Sequence, residues 1–454
     1  RFDLVVQVKF QADKHTYAFR FGELCCSVHA ASGLSRSRNS TPVDSVCRAS
    51  QLPSNWNRIT NPFTAMTDIS RGLVEMHDRI IYDSDHELFR SNARRFFREE
   101  LEPNIDQWEK DGSLPREFWL KAGENGFHCC GIPEQYGGPG ADFLYNMVLS
   151  EEVGYAIGGA SVGFSVSSDI VSYYILHSGS EEQKQYWLPK MVSGEAIAAI
   201  GMTEPGCGSD LKAIRTTAVR DGDEYVINGQ KTFITNGQNC DFVLLACSTN
   251  PDAGARGISL IIVESDRNGF KRGRNLEKIG QKAADTSELF FSDVRVPAAN
   301  LLGQEGGGFA VLMNELPRER ITIACRALAE AQRAFELTCE YVKERKAFGS
   351  QIFEFQNTQF KLAEVKTSLA VGWAYLDQCL ARIIAGKLTP EEGAMAKLWT
   401  TETGNKIVDD CLQFFGGYGY MRESPISRLF VDSRVRRIYG GSSEIMKLVI
   451  GRTI

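Results

Sequence analysis

The spacing of apolar positions changes twice along the chain. Near its start, Ser84-x-x-Glu87 reads as a capping box that opens a helix over residues 85–101. Leu88, Phe89, Phe96, Phe97 and Leu101 fall near one face of that helix, and Pro103 follows its end. Helical spacing recurs over about 115–125, 143–155 and 183–192, with a loop rich in glycine and proline at 134–140. From about residue 196 the period shortens. Segments 216–220, 225–228, 231–235, 241–247, 258–264 and 288–294 are short, β-branched or aromatic, and bounded by turn residues, so they predict strands. Asn228-Gly229, between two of them, predicts a hairpin. From about 308 the pattern is helical again, over 308–345, 354–386, 390–415 and 443–450. Pro317 is expected to kink the first of these or to mark a cap, and Gly416-Gly-Tyr-Gly-Tyr420 separates the last helices. No internal repeat is visible. The expected fold class is α+β: an N-terminal helical domain (80–195), a small β-barrel-like middle domain (196–305) and a C-terminal helical bundle (306–454).

Residues 1–65 differ in composition. Between 27 and 65 there are many serines, the arginines Arg36, Arg38, Arg48 and Arg58, and Asp44 as the sole acid. That composition resembles a mitochondrial transit segment, the reading preferred here, with a non-native or poorly ordered extension as the alternative. No packed fold is expected from it. The transit reading places the protein in the mitochondrial matrix, the other in a bacterial cytoplasm.

Charge and cysteine usage narrow the chemistry. A net charge of −6 offers no basic excess for nucleic acid. No apolar run approaches the roughly 18 residues of a membrane span. The 12 cysteines form no Cys-x-x-Cys, which argues against a zinc ribbon and reads as free thiols in a reducing compartment. No histidine follows His177, so a histidine metal site is not expected in the C-terminal half. Proton chemistry there falls to carboxylate, lysine, tyrosine or cysteine. Neither a Gly-x-Gly-x-x-Gly fingerprint nor a Walker A loop is present. Met202-Thr-Glu-Pro-Gly-Cys-Gly-Ser-Asp210 has glycines that expose backbone N–H groups, with Thr203 and Ser209 as added donors. Such a loop holds phosphate or the polar edge of a ring. Taken alone it also reads as a simple turn.

With four further motifs the picture sharpens. These are Lys231-Thr-Phe-Ile-Thr-Asn-Gly237, Arg345-Lys-Ala-Phe-Gly349, Gln413-Phe-Phe-Gly-Gly417 and Ile438-Tyr-Gly-Gly-Ser-Ser-Glu-Ile445. Their order on an α–β–α chain, from about residue 85 to the end, resembles the acyl-CoA dehydrogenase family. The resemblance implies FAD as cofactor, an acyl-CoA thioester as substrate and α,β-dehydrogenation as reaction. It also implies electron-transfer flavoprotein as acceptor and a homo-oligomer, of tetramer type. It places Ile200, Met202, Thr203, Gly208 and Ser209 along the flavin's pyrimidine side, with Ser209 also near the CoA portion. Phe233, Ile234 and Thr235 would pack against the isoalloxazine. Arg345 and Phe348 would face the FAD of a neighbouring subunit, and Gln356, Gln413, Gly416 and Gly417 would reach its adenosine and pyrophosphate. Ser442 and Glu444 would close over the cofactor. From the residues alone, Phe233 also reads as hairpin core and Arg345 as an exposed helix end.

The base is displaced from its usual place. Many family members carry it as the Glu of an Ile-Tyr-Glu-Gly-Thr run, and here that position is Gly440. The long-chain and isovaleryl branches place it on an earlier helix, in a motif ending Glu-Arg-Leu. This chain has Glu315-Leu-Pro-Arg-Glu319-Arg320-Ile, and Glu444-Ile-Met-Lys447 also resembles the long-chain branch. The resemblance therefore makes Glu319 the base. It keeps the Gly440 backbone N–H as a donor to the thioester carbonyl, with Arg320 and Gly441 beside the substrate. Read without it, Glu319 is a charge between two arginines on a helix, and Glu315 competes one turn earlier. If Glu319 is buried, its pKa should rise. The alternatives are an oxidase or monooxygenase on the same fold, or a non-catalytic acyl-CoA binder.

Overall fold

A computed structural model describes residues 4–9, 16–21, 79–159 and 162–454. The chain divides into two units, Arg1–Thr67 and Asp68–Ile454. In the first, β1 (Leu4–Lys9) pairs antiparallel with β2 (Thr16–Phe21). The rest of the transit-like stretch over 1–65 lies outside the described residues.

The second unit begins with α1 (Ser84–Phe96). Its cap lies one residue earlier than the sequence suggests. Asp83 accepts from the N–H groups of Asp85 and His86, and His86 reaches back to the Asp83 N–H. An aspartate there also meets the positive end of the helix dipole, while Glu87 turns to Arg90 instead. A π-helical turn, Phe97–Leu101, follows. Then come α2 (Ile105–Asp111), α3 (Arg116–Glu124) and α4 (Phe143–Tyr155). Phe96, Phe97, Phe118, Trp119, Phe127 and Phe164 form the centre of this block. Buried Glu151 and Glu152 of α4 bind Arg90, which ties α4 to α1. A second π turn, Val166–Val171, runs into α5 (Ser172–Ser178), and α6 (Glu181–Val192) completes the block.

The middle block is an eight-stranded, mostly antiparallel sheet. Its strands are β3 (Ala198–Gly201), β4 (Thr217–Asp221), β5 (Glu224–Thr235), β6 (Phe242–Ser248), β7 (Ile258–Glu264), β8 (Phe270–Asn275), β9 (Thr286–Pro297) and β10 (Leu301–Leu302). Every residue of β6 is buried. Phe242, Leu244 and Ala246 pack on Tyr174, Ile175 and Trp187 of the helices; Val243, Leu245 and Cys247 pack on the sheet's own inner side chains. The predicted Asn228-Gly229 hairpin does not form. Residues 225–228 and 231–235 are parts of one strand, β5, and the tight turn lies at Gly222-Asp223, where Asp221 pairs with Glu224 and Gly222 has φ +61°. Pairing with β9 overrides the local turn signal. The Asn228 side chain binds the Asp293 carboxylate and accepts from the Asp293 N–H, both at 2.9 Å, at a shift in the β5–β9 register.

α7 (Gly308–Glu344) runs 37 residues and passes through Pro317 without a break. Proline removes one intrahelical donor there, but neighbouring helices hold the segment. Gly393 lies so close that a Cβ on it would come 3.0 Å from the Pro317 carbonyl. A short hairpin of β11 (Lys346–Ala347) and β12 (Ser350–Gln351) leads to α8 (Gln356–Ile384) and α9 (Pro390–Phe415). α10 (Pro425–Ser433), which the sequence reading lacks, and α11 (Ser443–Gly451) close the chain. Leu328, Phe335, Leu369, Trp373 and Val408 are among the side chains at the centre of this bundle. The described cysteines are all free and buried.

Candidate functional site

One turn of α7 meets the π turn and α5 at three points. Glu315 Oε1 lies 2.7 Å from His177 Nδ1. Arg318 donates to the Asp169 carbonyl at 3.1 Å, and its guanidinium lies 3.4 Å above the Tyr173 ring. Glu319 Oε1 accepts from the Tyr174 hydroxyl at 2.8 Å. The two carboxylates therefore differ. Burial raises Glu315, but His177 and Arg318 outweigh it and hold the group below the ordinary range. Glu319 is 7% exposed. Burial pushes it up to about 6, against the pull of the Tyr174 donor and the Arg318 charge. Part of that pull is cancelled by the negative charge of Glu315. A carboxylate with this pKa is poised to take and release a proton near neutral pH.

α7 also touches the segment where the family's usual base is missing. Gly440 has φ +65°, and a Cβ on it would meet the Ile323 Cδ1 at 2.3 Å. Ile323 follows Glu319 by one helical turn, so the two side chains share a face. The space beside Gly440 is filled by the Ile323 side chain. Two buried cationic side chains fix the segment around it. The Lys397 ammonium of α9 donates to the Gly441 carbonyl at 2.5 Å. Arg436, paired with Glu330 of α7 at 2.8 Å, donates to the Tyr439 hydroxyl at 3.0 Å. Lys397 is fully buried. Burial and the like charge of Arg320 bring its pKa down to about 8. Arg320 is itself buried, which lowers its pKa, and its Nε has no hydrogen-bond partner among the described residues.

The loop at 202–210 is fixed from beneath. Buried Lys231 donates to the Met202 carbonyl (3.0 Å) and to Glu204 Oε1 (2.8 Å), while Glu204 accepts from the N–H groups of Arg215 and Thr216. The Thr203 carbonyl accepts from the Thr232 N–H. Ile200 and Met202 are half-buried; Gly208 and Ser209 are exposed. Phe233 sits at a bulge with φ +60° and is 67% exposed. A bulky residue in that conformation is held there by its surroundings. Ile234, expected on the same wall, instead points into the sheet core, because strand side chains alternate. Phe233 and the half-buried Thr235 are left on the outer side.

The remaining predicted residues lie elsewhere. Tyr341, four residues before Arg345 near the end of α7, stacks on Phe415, between Gln413 and Gly416; Phe348, Gln356 and Gly417 follow these in sequence. All six predicted residues are exposed. Phe348 has φ +53° and is almost wholly open to solvent. A Cβ at Gly416 or Gly417 would touch nothing. No hydrogen bond or ion pair among the described residues joins this group to the Glu319 turn. Ser442 caps α11 by accepting from the Ile445 N–H, and Glu444 is exposed in its first turn. Tyr174, His177, Ile323, Lys397 and the Glu204–Lys231 pair were not singled out by sequence. The only signal pointing to any of them was the placing of Glu204 and Lys231 within two motifs. Among the described residues no group of His, Cys, Asp or Glu is placed to hold a metal ion.

Family models match three consecutive stretches: acyl-CoA dehydrogenase N-terminal domain over 83–195, middle domain over 199–294 and C-terminal domain over 306–454. The mitochondrial long-chain specific acyl-CoA dehydrogenase of Sus scrofa is 47% identical over 387 residues, 85% of this chain and 90% of that protein. A crystal structure of acyl-CoA dehydrogenase from Geobacillus kaustophilus superposes with a TM-score of 0.80 at 50% identity, covering 82% of this chain and 98% of that one. A glutaryl-CoA dehydrogenase from Mycobacterium smegmatis in complex with FADH2 is 30% identical, with a TM-score of 0.77 over 82% of this chain and 95% of that one.

Proposed function

The chain belongs to the acyl-CoA dehydrogenase family, a family of oxidoreductases, and from that premise we propose that it oxidises a long-chain acyl-CoA to the trans-2-enoyl thioester with Glu319 as base. The observation that carries the reading is the contrast on one helical turn. Glu315 is paired with His177 and Arg318, which hold its pKa down, whereas Glu319 is buried, has a raised pKa and keeps one oxygen free of any partner among the described residues. Removal of the C2 proton leaves negative charge on the thioester carbonyl. The Gly440 N–H is the donor assigned to that oxygen, and the Lys397 and Arg436 contacts hold its segment still. Arg320 adds buried positive charge nearby, which favours the enolate.

FAD, when bound, supplies the acceptor for the hydride from C3. The residues present fit it: Phe233 offers an outward aromatic wall, and the fixed loop at 202–210 offers Thr203, Gly208 and Ser209 beside it. Arg345, Phe348, Gln356, Gln413, Gly416 and Gly417 are assigned to the FAD of a neighbouring subunit, which makes the working enzyme an oligomer. Electrons pass on to electron-transfer flavoprotein. The Sus scrofa relative is named as mitochondrial, which favours the matrix as the site of action.

The test is anaerobic mixing of the flavin-loaded enzyme with palmitoyl-CoA. Glu319→Gln should bind the thioester but bleach its flavin slower by about 10²–10⁴-fold, the usual worth of a general base. Glu315→Gln should retain most of the rate. Normal bleaching by Glu319→Gln would refute the assignment.

A further inference from the structure

A base must be aimed as well as ionised, and the aim of Glu319 comes from α5. Tyr174 is 1% exposed and lies in the apolar cluster shared by α5, α6 and the strands β6 and β7. A phenol buried in that setting needs a polar partner, and its partner is Glu319 Oε1 at 2.8 Å. The support beneath it is stiff. Ile175, the next residue, is fully buried against the sheet, and Arg318 pins the preceding π turn through the Asp169 carbonyl and α5 itself through the Tyr173 ring. Three residues on, the same short helix brings His177 to Glu315. One element thus occupies both carboxylates of the α7 turn, each with a different group.

We propose that Tyr174 is the positioning residue of the base: its hydroxyl holds Glu319 Oε1 and leaves Oε2 as the atom that receives the C2 proton. This rests on the reading of Glu319 as base. In the step, the C2–H bond breaks and an O–H bond forms at Oε2, while the electron pair stays on the substrate as the enolate. Tyr174 keeps its own proton throughout. Burial and the neighbouring Glu319 hold its phenol well above the ordinary range. Its hydrogen bond favours the ionised carboxylate and so opposes burial. The other charged groups that bear on Glu319 are Glu315, Arg318 and Arg320 on α7, His177 and Asp169 behind the first two of these, and Lys397 of α9 beside Arg320.

The experiment follows flavin bleaching by palmitoyl-CoA against pH in the flavin-loaded enzyme. In Tyr174→Phe the acid limb should move up by about one pH unit, since a donor to the charged form is lost. Bleaching at a pH below the limb should then slow about tenfold. The apparent KM should change little. Replacing Tyr174 with 3-fluorotyrosine keeps the shape and strengthens the donor, so the limb should move down; this arm decides the matter should Tyr174→Phe fail to fold. An acid limb that stays put in the variants that fold overturns the role of Tyr174. Glu319→Gln, measured alongside, separates the two claims. If it is inert while the limb of the Tyr174 variants is fixed, only the positioning falls; if it bleaches normally, the base and its positioning fall together.

Discussion

At the scale of the residue, the site holds a charge where burial disfavours it. Glu319 has a folded-state pKa of about 6, against about 4.3 for a free glutamate. A raised carboxyl pKa means that the folded protein binds more protons than the unfolded chain between those values. Stability is therefore lost as pH rises through about 6, by roughly 2 kcal/mol in all. Glu319→Gln removes the charge and keeps the shape. It should be more stable than the native protein at pH 7.5, with the gap closing towards pH 5; denaturant melts at the two pH values read this directly. A gap that does not change with pH would show that the carboxylate is not buried as described. Glu319 was singled out in the chain only through the resemblance, since the Glu-Arg-Ile run and the glycine at 440 match the long-chain branch, whereas its charge pattern alone reads as a solvated helix face. Tyr174 was not, since it lies 145 residues from its partner and no spacing rule links them.

At the scale of the element, α7 does two jobs with one face. It carries buried Glu319, held by the Tyr174 hydroxyl, and, one turn on, presses Ile323 against Gly440. Gly440→Ala should cost about 1–2 kcal/mol from its positive φ alone, plus the clash. Ile323→Ala added to it should recover the steric part only, giving a coupling of at least about 0.5 kcal/mol in a double-mutant cycle. Strict additivity would mean that the two residues do not touch. The long helices were readable because their apolar period persists over many turns. The short features were not: Asn228-Gly229 carries a turn signal that pairing with β9 overrules, and Asp83 takes the cap from Ser84. Pro317 was expected to kink α7 or to mark a cap; it marks no cap, because the helix runs on through it with Gly393 packed against it, which a local rule cannot see.

At the scale of the whole molecule, the α–β–α order followed from the change in apolar period, and the three family models fall on the same succession. What the chain could not show is how its motifs divide. Those at 202–210 and 438–445 are tied down by buried lysines, whereas Arg345, Phe348 and Gln413, at the ends of α7 and α9, are exposed. An aromatic side chain as open as Phe348 suits a surface that another subunit covers. Phe348→Asp should weaken assembly and flavin retention together, read by sedimentation and by flavin absorbance per chain. A variant that sediments as before and keeps its full flavin would remove Phe348 from that role.

The most direct test of the account is a crystal structure of the flavin-loaded enzyme with an unreactive 3-thia acyl-CoA. Glu319 Oε2 should lie within about 3.2 Å of the substrate's C2, the reach of a general base, with Oε1 still on Tyr174. A Glu319 side chain turned away from C2, with another carboxylate in its place, would contradict it.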